Sequence, residues 1–380
     1  MAFKISSLFT RLSARALMSL MLVAGSGIEC AGPTWPSLYQ SYARAFLDNQ
    51  IRVIDRDTGD RTTSEGQAYA MFFALVANDR ARFDGLLRWT ELNLAAGDLT
   101  AQLPAWQWGR DASDRWGVLD ANAAADADVW MAYALLEAGR AWNDQHYTSI
   151  GRSLAKRIAD EEVTDIGGIG PVLLPAPKGF RQDNAIRLNA SYLPLQVFAG
   201  LGHLMPDGPW ERIAQRISTL VSASSPHGYA TDWIDFAPGR GFSASDAGSY
   251  DAIRVYLWAG MLDPGATGRD AMLRSLSGMT DWLRKNAAPP EKVRRDGSVE
   301  VPNGPVGFSA ALLPYLSAIG EKKLADAQSG RLRSALDSRT GLYGRPPRYY
   351  DQNLALFALG WTERRFWFDS SGTLKTWWKN

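Results

Sequence analysis

The sequence predicts an all-α fold, a toroid of helical hairpins with small β-hairpins in its long loops. Three observations carry that prediction. Past residue 35 the apolar residues recur at spacings of three and four, the period of a helix. Segments such as 129–138 are apolar on every side, as a helix covered on both faces must be. Between the helices lie stretches rich in Gly, Pro, Asp and Trp, at 95–121, 164–191 and 222–250, and loops of that length on a rigid ring are where a groove is built. Roughly 345 residues divided among a dozen helix-plus-loop units of about 29 fit such a ring. No Gly-rich phosphate loop and no alternation of strand and helix is present, which argues against a nucleotide-binding α/β fold.

Taken in order, the first segment reads as a leader. Lys4, Arg11 and Arg15 form a basic region, followed by the short apolar run "ALMSLMLVAG" (16–25). Ten residues are too few to span a bilayer as a lasting anchor. Residues 1–30 are therefore expected to be a secretory signal peptide cut between 27 and 33, with export to the periplasm or the medium. Cys30 in "GIEC" is a poor lipoprotein signal, so no membrane anchor is expected, and one Cys permits no internal disulfide. Residues 34–380 are expected to form one domain.

Within that domain, Ser64 with Gln67 three positions on reads as a capping box that places Glu65 at the first helical position. Asp79 reads as the cap of a helix carrying Phe83, Leu86, Leu87, Thr90 and Leu94, with Gly97 as its stop. "VWMAYALLEAGR" (129–140) is a helix, and Tyr147, Ile150, Leu154 and Ile158 stripe the next. Ile213, Ile217 and Leu220 mark another; 251–261, 269–285 and 351–361 complete the set. "GPVLLP" (170–175) and "TDWIDF" (231–236) read as strands of small hairpins.

Composition narrows the chemistry. Forty-one basic against forty acidic residues give a net charge of +1 with no basic tract, which excludes nucleic acid as a natural partner. The three histidines (146, 203 and 227) are dispersed, so neither a metal site nor a cofactor is expected, and no G-x-S-x-G nucleophile elbow appears. Fifteen Trp, thirteen Tyr and fourteen Phe read first as a large aromatic core, which is expected to take most of them; several are expected to line a groove, where flat faces with polar edges suit sugar rings.

Three acidic sites stand apart: Glu65 in "TSEGQAYAM", Asp126 and Asp128 in "DAD", and Asp251 in "GSYDAIRVYLW". Each begins a helix, where a carboxylate complements the helix dipole, and local pattern alone favours that simpler role. Asp251 with Arg254 at i, i+3 would ordinarily be a surface ion pair of small worth. Yet carboxylates among aromatics are also the equipment of glycoside hydrolysis, in which one acid protonates the leaving oxygen and one carboxylate handles water or the anomeric carbon.

"SEGQAYAM", "AADADVWMAYALLEAGRAW" and "SYDAIRVYLW" resemble the three signature segments of glycoside hydrolase family 8, and most closely the periplasmic endo-β-1,4-glucanases that accompany bacterial cellulose synthase. The likeness runs from "TWPSLYQSY" (34–42) to "RFWF". It implies an (α/α)6 barrel, an inverting mechanism, β-1,4-glucan chains as substrate and the cellulose synthase complex as a partner. By resemblance Glu65 is the general acid and Asp251 the general base that activates water. Asp126 grips and distorts the sugar, Tyr250 and Arg254 flank the base, and Trp108 and Tyr192 line the groove. Ala125, Ala70, Ala190 and Ile186 depart from the family pattern, which has Ser or Thr, Gly, Pro and Trp there; no carboxylate is lost. The same fold acting on xylan or chitosan, and a non-catalytic glucan-holding component of an export machine, remain the alternatives.

For Glu65 to serve as an acid, burial and the neighbouring Asp126 must raise its pKa against the field of the helix N-terminus, which amounts to only about 0.3–1 kcal/mol. Asp251, beside Arg254, is expected to stay ionised as a base should.

Overall fold

The computed structural model describes residues 32–182 and 185–379; the predicted leader lies outside them. Helix α1 (Trp35–Phe46) is followed by five antiparallel pairs: α2 (Ser64–Val76) with α3 (Arg80–Leu94), α4 (Ala125–Trp142) with α5 (Gln145–Glu161), α6 (Leu195–Leu204) with α7 (Trp210–Ser224), α8 (Ala252–Gly260) with the split helix α9 (Arg269–Ser275) and α10 (Gly278–Leu283), and α11 (Val306–Ala318) with α12 (Lys322–Ser334). The last helix, α13 (Tyr349–Thr362), takes α1 as its outer partner, so the two ends of the domain close the ring. Trp35 fixes that closure: its indole Nε1 donates to the Leu356 carbonyl at 2.9 Å and its backbone N–H to Glu363. The result is an (α/α)6 barrel.

Burial sorts the helices into two rings. In α4 every residue but Arg140 and Trp142 is buried, and α2, α8 and α11 are apolar nearly all round. These belong to the inner ring, with α6 and α13. The outer helices bury one stripe each: Tyr147, Ile150, Leu154 and Ile158 on α5, and Ile213, Ile217 and Leu220 on α7. Along the axis the inner helices meet in aromatic contacts. Tyr69, Trp130, Trp258 and Phe357 pack edge-on or tilted with centroids 5.0–6.4 Å apart. Phe72 continues the stack to Phe366 and Phe368 near the C-terminus. Below them the C-terminal segment caps α2, with Trp377 and Trp378 indoles donating to the Val76 and Leu75 carbonyls.

Most of the small sheets come from the loops that precede the inner helices. One joins β1 (Thr62–Thr63), β2 (Gln107–Arg110) and β3 (Trp116–Asp120), with Thr62 opposite Trp108. The 170–175 segment supplies β5 (Gly170–Leu173), paired with β4 (Val163–Ile166). The 231–236 segment supplies β8 (Trp233–Ala237), between β7 (Ala185–Leu188) and β9 (Gly241–Ser245), with β6 (Arg181–Gln182) at the sheet's edge. A fourth sheet joins β10 (Ala247–Gly248), β11 (Lys292–Arg294) and β12 (Val299–Val301).

Two local expectations are corrected. The N-cap of α2 is Thr63, whose Oγ1 accepts from Gly66 N–H at 3.1 Å, so Glu65 is the second helical residue. Gln67 does not reach back to complete a capping box; its Oε1 accepts from Val53 N–H and its Nε2 donates to Thr90, tying α2 to the segment before it and to α3. The single helix expected over 269–285 is broken at Leu276–Ser277, because Gly278 N–H leaves the ladder to donate to the Gly228 carbonyl.

At the crossing of α8 and α11 the Gly260 Cα lies against backbone, and a Cβ there would collide with Tyr315 N and the Pro314 carbonyl carbon. Neither atom can swing aside as a side chain would. Gly260→Ala is therefore expected to lower unfolding free energy by about 3 kcal/mol, the upper range for overpacking; a thermal unfolding midpoint equal to wild type would contradict this packing.

Candidate active site

The N-terminal ends of α2, α4, α8 and α13 converge at one mouth of the barrel. Each brings a polar side chain there: Glu65, Asp126, Asp251 with Arg254, and Tyr350. A one-turn 3-10 helix, Ala190–Tyr192, contributes Ser191 and Tyr192, positioned by Asn189, whose Oδ1 accepts from Ser191 N–H and Oγ.

Arg254 is the hub, with 3% of its side chain exposed. Its Nη1 donates to Glu65 Oε2, to Asp126 Oδ2 at 2.9 Å and to the Tyr69 hydroxyl at 3.1 Å. Its Nη2 donates to Asp251 Oδ1 at 2.6 Å and to Ser191 Oγ at 3.0 Å. The Tyr192 ring lies 5.6 Å from the guanidinium carbon. The Asp251–Arg254 pair is thus no surface ion pair but part of a buried network, where geometry and multiple partners decide its worth.

The three carboxylates differ in access. Asp126 is sealed, with 3% of its side chain exposed and its second oxygen accepting from Ala127 N–H at 2.8 Å. That backbone bond and Arg254 hold it although Ala125 offers no hydroxyl. Glu65 and Asp251 remain open to the mouth at 22% and 30%. Asp251 is also steadied by Asn189 Nδ2 on Oδ2 at 2.9 Å. Burial pushes the Glu65 carboxyl up to about 8; Arg254 opposes this, while Asp126 and then Asp251 add to it. At neutral pH Glu65 therefore holds its proton, in spite of the guanidinium and the helix N-terminus. Asp232, beneath α8, accepts from the backbone N–H of Ser249 and Ala252 at 2.8 Å each and so fixes the turn that presents Asp251.

Glu65, Asp126, Asp251, Arg254 and Tyr192 are brought together, whereas Tyr250 and Trp108 flank them. Tyr250 is exposed, edge-on to Phe308, and its carbonyl accepts from the Tyr350 hydroxyl at 2.5 Å. Trp108 stacks on Trp116, with centroids 5.0 Å apart, and meets Trp89 edge-on. Trp116, 42% exposed, is the more open face of that pair and was not singled out in the sequence. Tyr69, Asn189, Ser191, Tyr350 and Asp232 were missed as well. The first has a readable signal, since it lies one turn beyond Glu65 on the same helix face. Ile186 is buried in its sheet rather than facing the mouth.

The sequence profile of glycosyl hydrolases family 8 matches residues 9–364. The chain belongs to this family. Among its family 8 relatives, an endoglucanase of Xanthomonas axonopodis pv. citri is 44% identical over 353 residues, which cover 92% of this chain and 90% of that one. An endoglucanase of Escherichia coli K12 is 41% identical over 366 residues, or 94% and 95% of the two chains. The crystal structure of an endo-1,4-D-glucanase from Vibrio fischeri ES114 superposes with a TM-score of 0.81 at 40% identity, covering 90% of this chain and 99% of that one. The protein is a glycoside hydrolase.

Arg254 is the cation that Glu65, Asp126 and Asp251 share, so its removal should tell on stability. Arg254→Met keeps the apolar stem and drops the charge; it is expected to cost about 3–5 kcal/mol, as breaking a buried ion pair does. The cost should be larger at pH 8 than at pH 5, where the carboxyls left behind can take up protons. Urea unfolding at both pH values reads this directly, and an equal cost at both would contradict the network.

Proposed function

We propose that this family 8 enzyme cleaves β-1,4-glucosidic bonds within glucan chains by an inverting, single-displacement mechanism. The observation that carries the reading is the unequal setting of two open carboxyls that share one guanidinium: burial keeps Glu65 protonated against the pull of Arg254, while Asp251 receives hydrogen bonds from Arg254 and Asn189 on both its oxygens. Glu65 gives its proton to the glycosidic oxygen as the bond to the anomeric carbon breaks. Asp251 takes a proton from the water that attacks the opposite face, and the products are two shorter chains. The family likeness makes Asp126 the residue that grips the sugar; its deep burial supports a second part, raising the proton affinity of Glu65. The endoglucanase names of relatives at 41–44% identity support β-1,4-glucan over xylan or chitosan.

Trp108 and Trp116 form an aromatic shelf on the sheet that leads into α2, supporting a sugar-stacking role for the pair. Residues 1–30 act as a secretory leader, supported by their basic and apolar pattern, and place the enzyme in the periplasm or the medium. The setting implied by the resemblance is the trimming of glucan beside a cellulose synthase.

Three measurements test the reading. Glu65→Gln and Asp251→Asn should each lower release of reducing ends from carboxymethylcellulose by at least about 100-fold while staying folded, the scale of a lost general acid or base; near-wild-type turnover in either removes its role. An NMR time course on a cello-oligosaccharide should show the α-anomer first, and initial β-product would exclude inversion. The third concerns pH. Activity requires protonated Glu65, so kcat/KM should decline as pH rises through a value of about 8. Asp126→Asn removes a negative neighbour, favours the ionised form of Glu65, and should move that decline to lower pH; a shift upward would be incompatible with this assignment.

A further inference from the structure

Behind Asp126 lies a second pair of acids that the mechanism does not use. Asp128, in the first turn of α4, and Glu162, which follows the last residue of α5, are both fully buried. Their carboxyls lie beside each other, and among the described residues all four oxygens are buried without a hydrogen-bond donor. Nor does any Lys, Arg or His among those residues pair with them. Two bare carboxylates cannot share such a site, since burying one unpaired charge already costs several kcal/mol. At least one oxygen must carry a proton, which then forms the bond between them. The charged groups facing the pair are Asp126, on the same helix, and Glu161, which is itself neutralised by Arg157 at 2.7 Å.

The pair also stands where α4 needs support. The cap position, Ala124, offers no side-chain hydrogen bond to the helix start, and Ala125 offers no hydroxyl. Tertiary contacts replace them. Ala125 N–H donates to the Pro175 carbonyl at 3.0 Å, and Leu174 N–H donates to the Glu162 carbonyl at 2.8 Å, so the end of the β4–β5 hairpin ties the start of α4 to the end of α5. The carboxyl pair closes the same junction from the side-chain direction.

We propose that Asp128 and Glu162 are positioning residues, a proton-bound carboxyl clip that fixes the first turn of α4 and thereby the place of Asp126 under the mouth. Its effect on turnover rests on the glucanase reading above; its effect on the fold does not. Burial and the nearby Asp126 hold the carboxyl of Asp128 well above the usual range, and burial and Asp128 do the same to Glu162. The fold therefore binds more protons than the unfolded chain once pH exceeds the ordinary carboxyl value near 4. The clip's contribution is complete below that value and is lost as pH rises toward the raised native one.

The experiment compares wild type with Asp128→Asn, Glu162→Gln and Asp128→Ala. An amide keeps the hydrogen bond without needing the shared proton. Asp128→Asn and Glu162→Gln should therefore keep kcat on a soluble β-glucan within about fivefold of wild type, while Asp128→Ala should lose about 100-fold in kcat with KM within about twofold, the scale expected when a catalytic group is displaced by about 1 Å. Without substrate, the thermal midpoint of wild type should fall from pH 5 to pH 9 more steeply than that of Asp128→Asn. Amide variants as impaired as the alanine variant, or Asp128→Asn with the wild-type pH slope, would overturn the clip. Should Asp128→Ala fail to fold, the two amide variants and the midpoint slopes still decide. A wild type inactive on every glucan would sink the functional reading while leaving the midpoint comparison in force.

Discussion

One guanidinium gathers groups from four separate parts of the chain: Glu65 and Tyr69 from α2, Asp126 from α4, Ser191 from the turn before α6, and Asp251 from the start of α8. Burying that cation is costly, and only several well-placed acceptors can offset the loss of water. The planar fork of donors suits the task, because Nη1 reaches α2 and α4 while Nη2 reaches the start of α8 and the turn before α6, and a lysine ammonium could not hold the same set. Three carboxylates meet at such close quarters only because Arg254 lies between them. The same contacts that stabilise the mouth of the barrel separate its acids by access, with one sealed beneath and two open above.

Placing acids at helix starts appears at first to work against proton donation, since the helix field favours the ionised form. Magnitude resolves the conflict. The field is worth about 0.3–1 kcal/mol near the surface, whereas desolvation can move a carboxyl by several pKa units. In Glu65 burial wins over both the helix and the guanidinium. What the helix start supplies is direction, since an inner helix locked by its neighbours fixes the side chain at its end. Carboxyls continue inward from the mouth, through Asp126 to Asp128 and Glu162, with no second cation beside them among the described residues, and the fold holds at the Asp128–Glu162 pair a proton that water would have taken.

Much of this was legible in the sequence. Strongly periodic helices such as α3, α5 and α7 could be placed by their stripes, and the chemistry-bearing acids stood out because nothing else in the chain competed with them. Inner helices were harder. Those apolar on every side, such as α11, have little periodicity to read, and the outer helix α12 buries only Gln328 and Leu332, too few for a stripe. The split at Leu276–Ser277 was invisible because its cause, the Gly228 carbonyl, comes from a distant loop. Ser64 and Thr63 were equally plausible caps by residue type, and only the fold separates them. Arg254 was named, but i, i+3 spacing sees one partner where the structure supplies five. Asn189, Ser191 and Tyr350 carry no local pattern at all; their roles exist only after the ring has closed.

The aromatic column under the site has a consequence for traffic. From Tyr69, hydrogen-bonded to Arg254, through Trp130, Trp258 and Phe357 to Phe72 and Phe366, the axis of the barrel is solid. A polymer cannot be threaded through this ring as through a pore; it must be laid across the mouth from the side. An enzyme loaded in this way has no need to find a chain terminus before it cuts, and both arms of the strand can run on past the rim while one bond lies at the mouth.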